Sequence, residues 1–181
     1  MSKDNALKVI ARLEGTLISD LKSLKVISEE RCESETLQEK LPGAFNYLLH
    51  ITALIACETL GYLINKDSSG GRSEENIKYF ISSKYFKDSA YKKSDYLDIL
   101  TSLRTNLAHV FGMTDLGLDN ISKDIALCVG GSKKPEVMRE AGVVKINGVK
   151  FVTLVIDGFE AIKNEINREN QTLIKIVNEK A

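Results

Sequence analysis

The sequence predicts a mainly α protein, an up-down helical bundle with a small antiparallel β-hairpin element and a closing helix at the C-terminus. In the first 112 residues, apolar side chains recur at steps of three and four, as on one face of a helix. After residue 120, short β-rich runs appear instead. A chain of 181 residues suits a single domain. We expect a helical bundle over residues 1–115 and a hairpin-and-helix extension over residues 120–181.

The first helix is predicted from an aliphatic stripe between Ala6 and Leu24, and it is expected to end near Ile27. The polar stretch SEERCESETLQEK follows it. Pro42 then fits the first turn of a second helix, because a first-turn N–H has no helical partner that proline would remove.

The segment LPGAFNYLLHITALIACETLGYLI, residues 41–64, is apolar on most sides and approaches the length of a membrane span. Asn46, His50 and Glu58 interrupt it, and polar groups in the middle of a span are costly. We therefore expect a buried helix through the middle of the bundle and no membrane partner. A buried Glu58 carboxylate needs a partner, and Arg104 is a suitable one.

Two more helices are predicted between residues 73 and 112. The turn-forming stretch NKDSSGGRSEEN leads to Ser73, which can cap a short helix. After a break at KDSA, Ser94 can cap the helix DYLDILTSLRTNLAHVF, and Gly112 is expected to close it.

The C-terminal part has a different pattern. IALCVGG is typical of a strand and a turn, and VVKINGVKFVTLVI consists of two β-rich runs joined by Asn147-Gly148, a dipeptide that favours a type I′ hairpin. Asp157 and Glu160 have the spacing of a capping box at the start of a last helix. The apolar stripe of that closing helix is expected at Phe159, Ile162, Ile166, Leu173 and Val177.

Composition narrows the function classes. Lys plus Arg and Asp plus Glu number 25 each, so no global field draws the chain to nucleic acid, and such binding needs a local patch. The three cysteines are widely spaced, which favours reduced thiols in a cytoplasmic protein. The sequence has no CxxC or HxxxH pattern, so we expect neither a metal nor another cofactor. The charged N-terminus lacks the apolar run of a signal peptide, which also favours a cytoplasmic location.

The stretch LRTNLAHVFG places Arg104 and His109 on one predicted helix, with four residues between them. Because each residue advances about 100° around the axis, the two lie about 140° apart, with small side chains between them. A guanidinium can bind phosphate oxygens with a fork of donors, and an imidazole can exchange a proton near neutral pH. The alternative is an ordinary surface arginine and histidine on an amphipathic helix.

LRTNLAHVF resembles the signature of the HEPN superfamily (higher eukaryotes and prokaryotes nucleotide-binding), in which an arginine and a histidine share one helix at a similar spacing. The resemblance covers roughly residues 1–115. It implies a helical bundle, a homodimer that joins two motifs in one cleft, and in many members a metal-independent endoribonuclease that cuts by 2′-hydroxyl attack. By this likeness Arg104 holds the scissile phosphate, and His109 acts in proton transfer or positions the 2′-hydroxyl.

The match to the family is incomplete at one position. The family often has Asn, Asp or His directly after the arginine, where this chain has Thr105, with Asn106 one residue later. We treat both as candidate supporting residues. Glu58 is a third, because a carboxylate paired with Arg104 can orient it.

A second candidate surface precedes the motif helix. YFISSKYFKDSAYKKSDY interleaves aromatic residues with lysines, which can stack bases and neutralise phosphates, and Lys92 and Lys93 are its candidate RNA contacts. The alternative is that most of these rings belong to the core and that the lysines are simply solvated.

Three hypotheses follow. The first is a cytoplasmic HEPN-like endoribonuclease, a homodimer with a toxin or defence role. The second is a non-catalytic HEPN-like module that binds nucleotide, RNA or a protein partner, with the arginine and the histidine serving the dimer contact. An antitoxin or a nucleotidyltransferase is a candidate partner under the first two hypotheses. The third is a helical interaction or scaffold protein in which the apolar stripes, and not Arg104 and His109, carry the function.

Overall fold

The computed structural model describes residues 2–40, 44–68, 71–110, 125–128, 133–140 and 143–180. It confirms the mainly α fold with a small hairpin. The helices are α1 (Lys3–Leu13), α2 (Ser19–Glu33), α3 (Glu35–Lys40), α4 (Ala44–Ile64), α5 (Ser73–Ser82), α6 (Ser94–Val110), α7 (Gly148–Asn167) and α8 (Gln171–Lys180). The strands are β1 (Ile125–Cys128), β2 (Val137–Glu140) and β3 (Val143–Asn147).

The N-terminal helix is longer than the sequence predicted. A π-helical turn at Glu14–Ile18 joins α1 to α2, and α2 continues past Ile27 to Glu33. The hydroxyl of Ser28 is buried and donates to the carbonyl of Leu24 at 2.6 Å, so this polar residue is satisfied inside the helix. The expected stop near Ile27 was wrong, because polar residues there form a helical surface instead of a loop. Pro42 lies outside the described residues.

Helix α4 runs through the middle of the bundle, as its composition predicted. It packs against α2, α5, α6, α7 and α8. The stretch Tyr47–Ile64 is long and apolar enough to cross a membrane by length and composition, and 61% of it is buried inside the protein. A helix surrounded by other helices in this way has few positions at which a polar side chain reaches solvent. The position of Glu58 on α4 therefore indicates where the protein has a polar site.

In the part of the chain that the structure describes, the sheet has three strands in the order β1-β3-β2. Strands β2 and β3 form the antiparallel pair, with Glu140 opposite Val143, while β1 runs parallel to β3. The predicted strand IALC is confirmed as β1. The hairpin itself is displaced from the predicted position, because β3 is its second strand and not its first.

Asn147-Gly148 is not a hairpin turn, so that prediction was wrong. Asn147 caps helix α7: its side chain accepts a hydrogen bond from the Lys150 N–H at 3.2 Å. The predicted capping box at Asp157 was also wrong, because Asp157 lies in the middle of α7 and not at a helix start. Asn-Gly suits both a type I′ turn and a helix start. Here the residues that follow bury an apolar stripe as a helix, which selects the helix start.

The closing segment is two helices instead of one. Helix α7 ends at Asn167, and Glu169 adopts a positive φ of 63° between α7 and α8. Asn170 then accepts a hydrogen bond from the Leu173 N–H, which caps the start of α8. Both helices pack against α1 and α4, so they share the core of the N-terminal bundle. The predicted stripe residues are all buried: Phe159, Ile162, Ile166, Leu173 and Val177.

Candidate functional site

Arg104 lies on α6 next to Leu103, whose side chain is buried in the core. Its guanidinium binds Glu58 of α4: Nε and Nη2 each lie 2.9 Å from Glu58 Oε2. The side chains of Arg104 and Glu58 are 27% and 23% exposed, so the pair lies at the edge of the bundle. The predicted pairing is confirmed. The contact uses Nε and Nη2, and Glu58 does not take up Nη1.

The second oxygen of Glu58 is also held. Ser73, the first residue of α5, donates its hydroxyl to Glu58 Oε1 at 2.5 Å. The predicted capping role of Ser73 was wrong, because α5 begins at this residue and no side chain caps it. Glu58 is therefore fixed from two helices, and it fixes Arg104 in turn. An arginine held in this way loses little side-chain freedom when it binds a ligand.

A cavity of about 380 Å³ opens beside this pair; we call it the Arg104 cavity. One face of α4 forms most of its wall, because residues at i, i+3, i+4 and i+7 point the same way. The lining residues are Ile55, Glu58, Thr59, Tyr62, Gly71, Asn76 and Arg104. Sequence reasoning missed all of these except Glu58 and Arg104. Ile55 and Tyr62 lie three residues before and four residues after Glu58, and Thr59 lies four after Ile55, so helical spacing was a signal for all three. Only tertiary packing brings Gly71 and Asn76 to the cavity.

The remaining motif residues are on the same helix. The backbone of α6 is helical through Val110, so it includes Thr105, Asn106 and His109, but the side chains of these three lie outside the described residues. Gly112 also lies outside them. The one-helix arrangement of Arg104 and His109 is therefore present in the backbone.

Lys92 and Lys93 stand apart from the Arg104 cavity. Lys93 directly precedes α6, which puts it about 16 Å from Arg104 along the helix axis at 1.5 Å per residue. Lys92 lies in the 3₁₀ turn Ala90–Lys92, and its ammonium donates to the carbonyl of Ser83 at 3.1 Å. Neither lysine lines the Arg104 cavity.

The aromatic rings before α6 are mostly core. Phe80, Phe86 and Tyr91 are fully buried, and Phe86 and Tyr91 both pack against the ring of Phe151. Tyr79 is the most exposed at 44%. The lysines Lys84 and Lys87 pair with Glu165 and Asp157 of α7. These contacts favour the core interpretation of this segment over a base-stacking surface.

The contacts of Glu165 predict a pH dependence of stability. Its carboxylate accepts hydrogen bonds from Lys84 and Tyr85, and chiefly the Lys84 bond lowers its pKa. A lowered pKa in the folded state stabilises the protein above the unfolded pKa, and that stabilisation is lost as pH falls through the folded pKa. We expect Glu165→Gln to unfold more easily than the parent at neutral pH and the gap to close in acid, measured by urea denaturation. Equal loss at every pH would contradict this, and Glu39→Gln on the exposed side of α3 serves as control.

A second cavity and two buried reactive side chains, His50 and Cys57, are separate from the lining of the Arg104 cavity. A larger cavity of about 480 Å³ lies between the end of α5 and α8, lined by Tyr79, Tyr85 and Leu173 among others, but the described residues that line it include no arginine, histidine or carboxylate. His50 is fully buried and packs against Gly148. Cys57 is also fully buried, and burial raises the pKa of its thiol, which disfavours the nucleophilic thiolate. We therefore place the candidate site at Arg104, where the guanidinium lines the cavity.

Among the described residues, no three side chains of His, Cys, Asp or Glu come together as a metal-binding group. Comparison of the chain with protein-family models, curated proteins and solved structures found no match.

Proposed function

We propose that this protein is a HEPN-like, metal-independent endoribonuclease that acts as a cytoplasmic homodimer with a toxin or defence role. The observation that supports it most is the arrangement of Arg104, which Glu58 orients at the rim of a cavity and which shares helix α6 with His109. A fixed fork of donors at the mouth of a cavity suits a phosphate whose negative charge grows during the reaction.

The proposed roles follow from the chemistry of each side chain. Arg104 binds the scissile phosphate and stabilises the charge that develops on its oxygens when the 2′-hydroxyl attacks. His109 takes or returns a proton in that step, since an imidazole titrates near neutral pH. Glu58 is a positioning residue, because it acts through Arg104 and not on the RNA.

The test is RNA cleavage by the purified chain in buffer that contains EDTA. We expect the parent protein to cut RNA under these conditions and His109→Ala to lose that activity, because proton transfer then has no group to perform it. Cleavage that is unchanged in His109→Ala would refute the role of this residue. Circular dichroism of the variant distinguishes loss of chemistry from loss of fold.

The second candidate function is a non-catalytic HEPN-like module that binds nucleotide, RNA or a protein partner such as an antitoxin or nucleotidyltransferase. One observation favours it: the Glu58 carboxylate neutralises Arg104, and a neutralised guanidinium attracts phosphate less strongly. The presence of Thr105 after the arginine points the same way.

Glu58→Gln separates the two functions. If Glu58 orients a catalytic arginine, the variant should cut RNA more slowly, because the charged partner of Nε and Nη2 is gone. If the protein only binds RNA, the variant should bind it more tightly, because a positive charge has been released, and neither protein should cut. Cleavage rates and equilibrium binding on the same RNA give the answer.

A further inference from the structure

We propose that the Arg104 cavity is a nucleobase subsite, in which a base with a carbonyl group stacks on Tyr62 and accepts a hydrogen bond from Asn76. The proposal rests on the proposed function for the identity of the ligand as RNA, and it adds which part of the RNA enters the cavity and which bases fit.

Tyr62 supplies the aromatic ring on which a base would stack. It lies on α4 one helical turn beyond Glu58 and lines the cavity with a half-buried side chain. The ammonium of Lys180, the last residue of α8, lies 4.8 Å from the centroid of its ring and also donates to the carbonyl of Ser68. Lys180 does not line the cavity. The ammonium therefore covers the ring from outside the cavity. A flat ligand in the cavity would stack on the ring from the cavity side.

Asn76 supplies a hydrogen-bond donor in an otherwise closed setting. Only 3% of this residue is exposed, yet it lines the cavity. Its Oδ1 accepts from the Ser68 hydroxyl at 2.5 Å, which fixes the amide. Within the described residues its Nδ2 has no hydrogen-bond partner, and this nitrogen is not one of the fully buried unsatisfied side-chain atoms, so it is a donor that a ligand in the cavity can reach. A carbonyl oxygen of a base would satisfy it, and uracil, cytosine and guanine have one while adenine does not.

The size and charge of the cavity also fit a base. About 380 Å³ is at the small end of the range of about 300–1,000 Å³ for small-ligand sites, so it holds one nucleoside and not a folded partner segment. Among the described lining residues, Glu58 and Arg104 are the charged pair and compensate each other, which suits an uncharged ring. The phosphate next to that nucleoside would then lie at the rim, within reach of Arg104 Nη1.

The experiment measures binding of fluorescently labelled 2′-O-methyl oligouridine and oligoadenosine, which lack the attacking hydroxyl and are not cut. Stacking on an aromatic side chain is worth about 5- to 150-fold in affinity per base. We expect Tyr62→Leu to bind oligouridine weaker by about that factor and Tyr62→Phe, which keeps the ring, to bind as the parent does. The parent should prefer oligouridine to oligoadenosine.

Asn76→Asp is the matched variant for the hydrogen bond. It keeps an oxygen for the Ser68 hydroxyl and replaces the Nδ2 donor with an acceptor, so the preference for uridine should disappear. Binding of oligouridine that is equally tight in Tyr62→Leu, equal affinity of the parent for both oligonucleotides, or no binding at all would overturn the subsite. If the parent cuts RNA but Tyr62 has no effect, the subsite alone fails. If it binds through Tyr62 but never cuts, the proposed ribonuclease function fails and the subsite stands.

Discussion

Replacing Arg104 with alanine is expected to slow RNA cleavage by about 10²–10³-fold, the loss typical when one donor to a developing oxyanion is removed. The guanidinium is already oriented by Glu58, so its donors need no rearrangement when charge builds on the phosphate. Arg104→Lys keeps the positive charge but loses the planar fork, so an intermediate rate is expected. Single-turnover cleavage in EDTA measures each effect.

The variant should still fold. Exposed ion pairs contribute only about 0.2–1 kcal/mol, and the Arg104–Glu58 pair is partly exposed, so its loss is small beside the stability of a domain of this size. Arg12→Ala is the matched control, since Arg12 is an exposed arginine at the end of α1 and its loss removes the same charge. Equal rates for Arg104→Ala and Arg12→Ala would show that Arg104 takes no part in cleavage.

Gly61→Ala is expected to destabilise the protein by up to about 2 kcal/mol. A Cβ at this position of α4 would lie 1.9 Å from the backbone carbonyl oxygen of Asn76, so α4 and α5 must move apart. Overpacking of this kind costs about 1–3 kcal/mol and occasionally more. The gain from alanine in a helix is only about 1 kcal/mol, so the steric cost prevails because the obstacle is backbone and not a side chain that can rotate.

The control for this substitution is Gly15→Ala. Gly15 is exposed in the helical turn between α1 and α2, and nothing lies within 4 Å of a Cβ placed there. Its substitution should be neutral or stabilise by about 0.4–1 kcal/mol. Urea denaturation of both variants measures the difference. Equal stability of the two would mean that α4 and α5 do not approach each other at Gly61 as closely as described.

Local patterns predicted the helices that bury one stripe and the residues on that stripe. Phe159, Ile162 and Leu173 are buried as expected, because a period of three to four residues needs only the neighbouring turns to be recognised. The pairing of Glu58 with Arg104 was also predictable, since a carboxylate on an apolar helix requires a cation and few arginines were suitable.

The start of α7 was not predictable from local preference. VKFVTLVI is rich in β-branched residues, which favour strands. The same residues nevertheless have a helical period, and the helix buries a continuous stripe against α1, α2 and α4. That stripe includes Val149, Val152, Val155, Phe159 and Ile162. Tertiary burial therefore outweighed strand propensity, and the long-range parallel pairing of β1 with β3 likewise has no local signal.

The site was predictable only in part for a similar reason. Ser73 is a common helix cap in sequence, but its hydroxyl bonds the carboxylate of Glu58, fifteen residues earlier in the chain. Asn76 and Gly71 reach the cavity because Gly61 lets α5 approach α4 closely. Such contacts depend on helix packing, which a single helical period does not specify.

The chemical ends of the RNA fragments test the central claim most directly. If Arg104 stabilises the phosphate while the neighbouring 2′-hydroxyl attacks it, cleavage in EDTA must leave a 2′,3′-cyclic phosphate on one fragment and a free 5′-hydroxyl on the other. Mass spectrometry of the fragments from one defined RNA, with the slower Arg104→Ala variant as the reference, identifies these ends. Fragments with a 5′-phosphate and a 3′-hydroxyl, or no cleavage by the parent protein, would contradict the proposed mechanism.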